Sequence, residues 1–313
     1  MNPLDLSPNV LWFAAGIFSL LITASVIIAL LKRFRPGEYC NELVLRIKTW
    51  WIIAGPFVIV LLLGKGVAIT FLALVSYLAL KEYISLIPTR RVDRRILFWA
   101  YFTIPIQFWW IYIEWYGMFI IFIPVYMFLY IPLRMVLRGE TKGFLKAAGT
   151  LHWGIMTTVF SLSHLAYLLV LPGDEFNRGY GIGLVLFLVF LTELNDVAQF
   201  IWGKLLGKRK VIQSVSPNKS WAGLLGGTVS TIILSIAIAP FLTPFTLVHA
   251  AIAGVIIGLG GFLGDITVSA VKRDIGIKDT GCMLPGHGGI LDRLDSLTVT
   301  APLFLHFIRY FYF

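Results

Sequence analysis

The chain has 313 residues, of which 58% are hydrophobic and 13% charged, with a formal charge of +10. A water-soluble domain carries about a quarter charged residues, so a soluble globular fold is excluded. The basic excess would suit nucleic acid, but its distribution along the chain assigns it elsewhere.

Read in order, apolar runs long enough to cross a bilayer as helices lie over 10–31, 49–63, 67–80, 96–114, 115–132, 148–171, 179–203, 221–240, 247–266 and 297–313. This is the pattern of an all-α, polytopic integral membrane helical bundle of about nine to ten transmembrane helices. The nine residues before the first run contain Asp5 and no Lys or Arg, so that run reads as a retained span and not a cleavable signal. The connections 32–48, 81–95, 134–146, 204–219 and 272–293 hold 23 of the 26 Lys and Arg. The alternate connections and the tail hold only Lys65, Arg178 and Arg309. The positive-inside rule puts the five basic loops in the cytoplasm and both termini outside. The partner of these bases is therefore the lipid bilayer, through its anionic headgroups, and not nucleic acid. Cys40 and Cys282 are isolated thiols on the same side, a pattern for neither a disulfide nor a zinc site.

The two halves differ in texture. Residues 1–172 read as N-terminal scaffold helices, plain in Leu, Ile, Phe and Trp. Residues 179–313 read as the catalytic region, with "GLLGGTVS" and "GVIIGLGGFLGD" placing small residues at helical spacing. Such faces let helix backbones approach closely in lipid, and tight packing alone accounts for them.

Three clusters interrupt this second half. In "LTELNDVAQFIWGKLLGKRK", Asp196, Gln199 and Gly203 share a helical face that Glu193 joins one turn earlier. Carboxylates inside a span mark a pathway or a bound cation, or else a polar pair gluing two helices. In "SVSPNKSWAGLLGG", Ser216-Pro217 followed by Lys219-Ser220 reads as a turn opening a helix. Unpaired N–H donors and a nearby Lys there suit phosphate, although an ordinary loop with an N-cap has the same look. The third cluster is "GDITVSAVKRDIGIKDTGCMLPGHGGILDRLDS". Asp265, Ser269 and Lys272 are spaced to share one helical face, Asp292 and Asp295 another, and between them Pro285-Gly286-His287-Gly288-Gly289 must be irregular backbone. Carboxylates meeting at a membrane surface suit a hard cation such as Mg²⁺, and Lys, Arg and a Gly-rich loop beside it suit a polyphosphate. His287 reads as a phosphate contact or as a structural element of the loop.

Ser269-x-x-Lys272-Arg273, then Lys278-Asp279, then Pro285-Gly286-His287-Gly288-Gly289-x-x-Asp292-Arg293-x-Asp295 resembles the full signature of phosphatidate cytidylyltransferases, the CDP-diacylglycerol synthases. The runs around Asn195-Asp196 and Ser216-Pro217-Asn218-Lys219-Ser220-Trp221 resemble that family's upstream motifs. The likeness is close from about Glu193 to Asp295, while the first half resembles the family only in being hydrophobic spans. The resemblance implies transfer of CMP from CTP to phosphatidic acid, with Mg²⁺ and often a monovalent cation such as K⁺, in a bacterial cell membrane, by an enzyme of a family whose members often form homodimers. It maps the metal-binding aspartates onto Asp265 and Asp292 with Asp196 nearby. Ser216, Lys219, Ser269 and Arg273 fall at phosphate-handling positions. Two departures, Gln199 for an aromatic residue and Ala222 for a Glu, bear on the lipid acceptor more than on the reaction.

The chemistry suits these residues. A lipid phosphate monoester is already anionic, so the obstacle is repulsion between it and the nucleotide, which cations offset. Asp265, Lys272 and Asp292 are expected to form the catalytic set, with Lys278, Arg293, Gly288 and Gly289 joining the substrate contacts. Asp295 and Asp279 are expected to support them from behind, Asp295 by orienting Arg293 or Lys272. The alternatives are a CTP-dependent transferase or kinase acting on another lipid, an ion-coupled transporter built on Glu193 and Asp196, and a non-catalytic partner protein. A transporter places polar residues at the bilayer midplane in broken helices, whereas here most lie at cytoplasmic ends.

Overall fold

The computed structural model describes residues 7–34, 37–171, 180–286 and 288–313. The expected contact at His287 lies outside the described residues, as does Arg178. The long helices are α1 (Pro8–Phe34), α2 (Glu38–Leu62), α3 (Lys65–Leu86), α4 (Leu97–Tyr112), α5 (Tyr116–Val136), α6 (Phe144–Val170), α7 (Tyr180–Leu206), α8 (Trp221–Leu242), α9 (Leu247–Asp274) and α10 (Leu297–Tyr312). A four-residue helix, Leu291–Leu294, precedes α10. Among the described residues there is no strand, only isolated bridges at Lys210–Ser220 and Leu284–Gly288.

Eight of these helices are long and apolar enough to cross a membrane, and the chain is an integral membrane protein. The spans expected at 96–114 and 297–313 are shorter, as α4 and α10 have 16 residues each. At 1.5 Å per residue each covers about 24 Å, less than the ~30 Å of a hydrocarbon core. The shortening has local causes. Glu114, with φ of 61°, turns the chain sharply between α4 and α5 and forms an ion pair with Lys65 of the α2–α3 turn. At the other end, the turn at Asp295–Ser296 separates α10 from the short helix before it.

Chain punctuation follows the sequence. Ile87 is extended because Pro88 follows, which ends α3. Ser220 and Thr246 cap α8 and α9, accepting from the Gly223 and His249 N–H. The small-residue faces act as close-packing surfaces among α7, α8 and α9. A Cβ on Gly258 would stand 2.9 Å from the Thr228 Cα, and one on Gly227 would stand 2.3 Å from the Gln199 side chain. α1 buries only Val10, Ala14 and Leu21 and leaves Trp12, Ile22 and Leu30 exposed, as a lipid-facing helix does. Among the described residues neither cysteine forms a disulfide, and Cys40 is buried while Cys282 is exposed.

Candidate active site

The C-terminal half of α9 carries Asp265, Ser269 and Lys272 on one face, as their spacing requires. Both oxygens of Asp265 are engaged: Ser269 Oγ donates to Oδ1 at 3.1 Å, and Lys219 Nζ lies 2.5 Å from Oδ2. Lys219 comes from the turn before α8 and also donates to Gln199 Oε1 at 3.2 Å. Burial alone would release the Lys219 proton, but Asp265, Asp196 and Asp295 around it raise its pKa instead. Gln199 thus gives Lys219 an acceptor that an aromatic side chain would lack. Its amide also reaches the Gly258 carbonyl, as does that of Asn195, so these two residues tie α7 to α9.

One turn nearer the basic side, Lys272 Nζ donates to Asp292 Oδ1 at 2.7 Å. Asp292 is 7% exposed, and its Oδ2 accepts from Thr280 N (2.8 Å), Thr280 Oγ1 (3.0 Å) and Gly289 N (3.0 Å). Burial opposes its charge, yet Lys272 and the two N–H donors hold its pKa below the ordinary aspartate value. The same loop is gripped from the other side by Glu82 of α3. Glu82 is 8% exposed and accepts from Ile290 N at 2.9 Å, Leu291 N at 3.0 Å and the Thr280 hydroxyl. That hydroxyl has one proton and two carboxylate neighbours, so it serves Glu82 or Asp292 at any instant. A Cβ on Gly289 would come within 2.1 Å of Glu82 Oε1, so only glycine fits where the loop passes this carboxylate. Thr49 of α2 adds a bond from Oγ1 to the Pro285 carbonyl at 2.6 Å.

A third group lies behind these pairs. Ser296 Oγ is 3.0 Å from Asp196 Oδ2 and 3.2 Å from the Gly261 carbonyl, while the buried Asp196 Oδ1 has no hydrogen-bond partner among the described residues. Asp295 accepts from Ser296 N at 2.7 Å. Burial, then Asp265 and Asp196, push its pKa well above the usual carboxylate range. Arg293 faces the field of Glu193 and Asp196, and its buried Nε has no hydrogen-bond partner among the described residues.

Asp196, Asp265 and Asp295 therefore surround Lys219, whereas the oxygens of Asp292 face Lys272 and the loop. Among the described residues, no three His, Cys, Asp or Glu side chains stand close enough to share a metal ion. The expectation that Asp196, Asp265 and Asp292 converge on one cation is thus not met in this arrangement, because a lysine sits against each of the last two. The donors themselves fit Mg²⁺: they are hard carboxylate oxygens, and the buried Asp196 Oδ1 has no hydrogen-bond partner among the described residues.

Other expected contacts are placed less centrally. Arg273 donates to the Val215 and Ile277 carbonyls at 3.2 Å each, pinning the strap before α8. Ser216 takes part through its backbone, its carbonyl accepting from Lys219 N at 3.3 Å. Lys278 and Asp279 are exposed, with Asp279 beside Gly288, whose φ is 82°. The residues that sequence reasoning missed are Glu82, Thr280, Thr49 and Ser296. Only Glu82 left a signal, an acid just inside a span exit where bases otherwise collect.

Comparison with known proteins adds a consistent picture. A family model described as the cytidylyltransferase family matches residues 44–311. The chain is 46% identical over 296 residues to the uncharacterized protein YnbB of Escherichia coli (strain K12), covering 95% of this chain and 97% of that one. It is 36% identical over 144 residues to a phosphatidate cytidylyltransferase of Haemophilus influenzae, covering 43% of this chain and 47% of that one. It is 36% identical over 157 residues to one of Staphylococcus saprophyticus, covering 48% and 59%. The matches to these two enzymes thus span about half of each.

Proposed function

This chain belongs to the cytidylyltransferase family, and from that premise we propose that it transfers CMP from CTP to phosphatidic acid. An oxygen of the lipid phosphate attacks the α-phosphorus of CTP, the bond from that phosphorus to the bridging oxygen of the β-phosphate breaks, and pyrophosphate leaves with the electron pair. CDP-diacylglycerol is the product. The observation that supports this reading best is the pair of lysine–aspartate contacts, Lys219–Asp265 and Lys272–Asp292, set beside a Gly-rich loop. They hold two cations ready for phosphate oxygens at the basic ends of the helices.

In this reading the basic face is cytoplasmic, so that water-borne CTP and a bilayer-borne lipid meet at one mouth. Lys219 and Lys272 exchange an aspartate oxygen for a phosphate oxygen when substrate enters. Arg293 adds charge near the leaving pyrophosphate. Asp292 and Glu82 keep the loop folded around the nucleotide, and the Gly288 and Gly289 backbone lets phosphate approach the chain. Asp196 and Asp265, with Asp295 adjacent, would hold Mg²⁺, a role that the unbonded Asp196 Oδ1 suits. Mg²⁺, when bound, supplies positive charge that offsets repulsion between the two phosphates. No side chain is needed as a general base, since the nucleophile is already an anion.

The test is pyrophosphate release from CTP by the purified chain in lipid, with phosphatidic acid and Mg²⁺, compared with Asp265→Asn. The wild type turns over only with both additions. The variant falls about 100- to 1,000-fold, the usual cost of removing a preorganised charge from such a site. Turnover that is independent of phosphatidic acid, or unchanged in the variant, defeats the proposal.

A further inference from the structure

A cleft of about 530 Å³ lies between the segment after α3 and the start of α6. This is within the ~300–1,000 Å³ typical of small-molecule sites. Its walls include Arg90, Arg91, Val92, Lys142, Lys146 and Thr150, none of which belongs to the signature or its upstream motifs. Arg90 is the clamp. It holds Asp93, which is 3% exposed, through Nε at 2.5 Å and Nη2 at 3.1 Å, and donates to the Glu140 and Lys142 carbonyls at 3.1 and 2.8 Å. Both rims are therefore tied together, and the cleft is preformed.

Arg90 is neutralised by Asp93, but Arg91, Lys142 and Lys146 are exposed and make no ion pair among the described residues. The one acid in the lining, Glu140, accepts from the Lys142 N–H at 3.0 Å. Three unpaired cations thus face one acid in a concave site. The cleft begins two residues after the end of α3 at Leu86, and α6 lends it Lys146, Ala147 and Thr150. Leu145, next to Lys146 in α6, is 82% exposed. An occupant whose anionic head meets the cations can therefore lay an apolar tail beside α6.

We propose that this cleft is a second, non-catalytic site for the phosphate headgroup of an anionic phospholipid. Topology alone would scatter bases over the basic face, whereas here they line a preformed hollow whose wall residue Thr150 also accepts from the Tyr83 hydroxyl at 2.8 Å. Tyr83 adjoins Glu82, so α3 touches both a wall residue of the cleft and the loop of residues 280–291. The site does not depend on the proposed reaction, and its test omits CTP.

The full chain in lipid nanodiscs is exposed to a photoactivatable phosphatidate, and the cross-linked peptides are mapped. Cross-links are expected in 88–92 and 140–150. The Arg91→Ala/Lys142→Ala/Lys146→Ala variant should weaken labelling there roughly a hundredfold, at about a factor of five per charge near a membrane surface. A control removing three other bases of the same face, Lys32→Ala/Arg33→Ala/Lys48→Ala, should leave it within about fivefold, the effect of one such charge. Thermal unfolding of both variants checks that they fold. No cross-links in these two segments, or equal loss in both variants, overturns the proposal. Displacement by glycerol 3-phosphate as effective as by phosphatidate would make the ligand a soluble phosphate ester and overturn its assignment to lipid.

Discussion

Glu82→Gln is the most informative single change, because it keeps the shape of a side chain that holds the loop of residues 280–291 from outside the signature. Glu82 accepts from Ile290 N at 2.9 Å through Oε2, and from Leu291 N at 3.0 Å and the Thr280 hydroxyl through Oε1. A glutamine has one acceptor oxygen and one NH₂. In its better orientation the oxygen keeps Leu291 N and Thr280, and the NH₂ then faces the Ile290 N–H. One charge-assisted bond worth about 1.5–3 kcal/mol is lost, and a donor is left facing a donor. A net cost of about 2 kcal/mol, felt where the loop must be ordered for reaction, is roughly a 30-fold fall in kcat/KM.

The effect should be local. The loop lies on the surface of the bundle, so it can loosen while the helices stay packed. The assay is pyrophosphate release against CTP concentration, with thermal unfolding measured in parallel. The expected result is a raised KM for CTP with a shift in unfolding temperature of only a few degrees. Thr280→Val should weaken activity as well, and the double variant should fall short of the product of the two, because Glu82→Gln removes the charge that strengthens the Thr280 bond and Thr280→Val removes the bond itself. Wild-type kcat/KM in Glu82→Gln, or full additivity with Thr280→Val, would refute the reasoning.

Gly289→Ala should inactivate the enzyme by more than tenfold, because its Cβ would stand 2.1 Å from Glu82 Oε1. Gly16→Ala, which meets nothing within 4 Å, should be silent in the same assay. Asp292 has a lowered pKa, so the unfolded chain binds its proton more readily and stability rises with pH through the acid range. Denaturant titrations should show wild type losing stability as pH falls below about 4, with Asp292→Asn less stable at neutral pH and flatter below it. Replacing Gln199 by Leu should remove the Lys219 acceptor at 3.2 Å and lower activity several-fold, read as kcat/KM for the lipid acceptor.

The helices were legible because lipid imposes a simple demand, about 20 apolar residues per crossing, and bases mark one side. α4 and α10 fell short of it because a turn depends on one residue's conformation, as at Glu114, and not on hydropathy. The face shared by Asp265, Ser269 and Lys272 follows from helical spacing and appears as read. What spacing could not say is which acid meets which base across the fold. Lys219 finds Asp265 and Lys272 finds Asp292 through tertiary packing, and neither pairing leaves a periodic trace. Glu82 was hidden for the same reason: it lies 198 residues before Thr280, in a helix that otherwise reads as scaffold.

The charge balance of the site explains why lysines stand against the acids. Glu82, Glu193, Asp196, Asp265, Asp292 and Asp295 stand with Lys219, Lys272 and Arg293 in one region of low dielectric, six acids against three bases. Unscreened carboxylates there would repel one another strongly, and the Asp295 pKa is raised by burial first and by that crowding second. Each lysine lowers the repulsion by sitting against an aspartate. A polyphosphate arriving alone would bring more negative charge into a region already rich in it, so binding must draw in cations along with the nucleotide. Entry of phosphate and entry of metal are therefore thermodynamically coupled, each favouring the other. CTP affinity measured in the binding-only Asp265→Asn protein should accordingly depend less on Mg²⁺ than in wild type. Equal Mg²⁺ dependence in the two would mean that the acids do not govern cation entry.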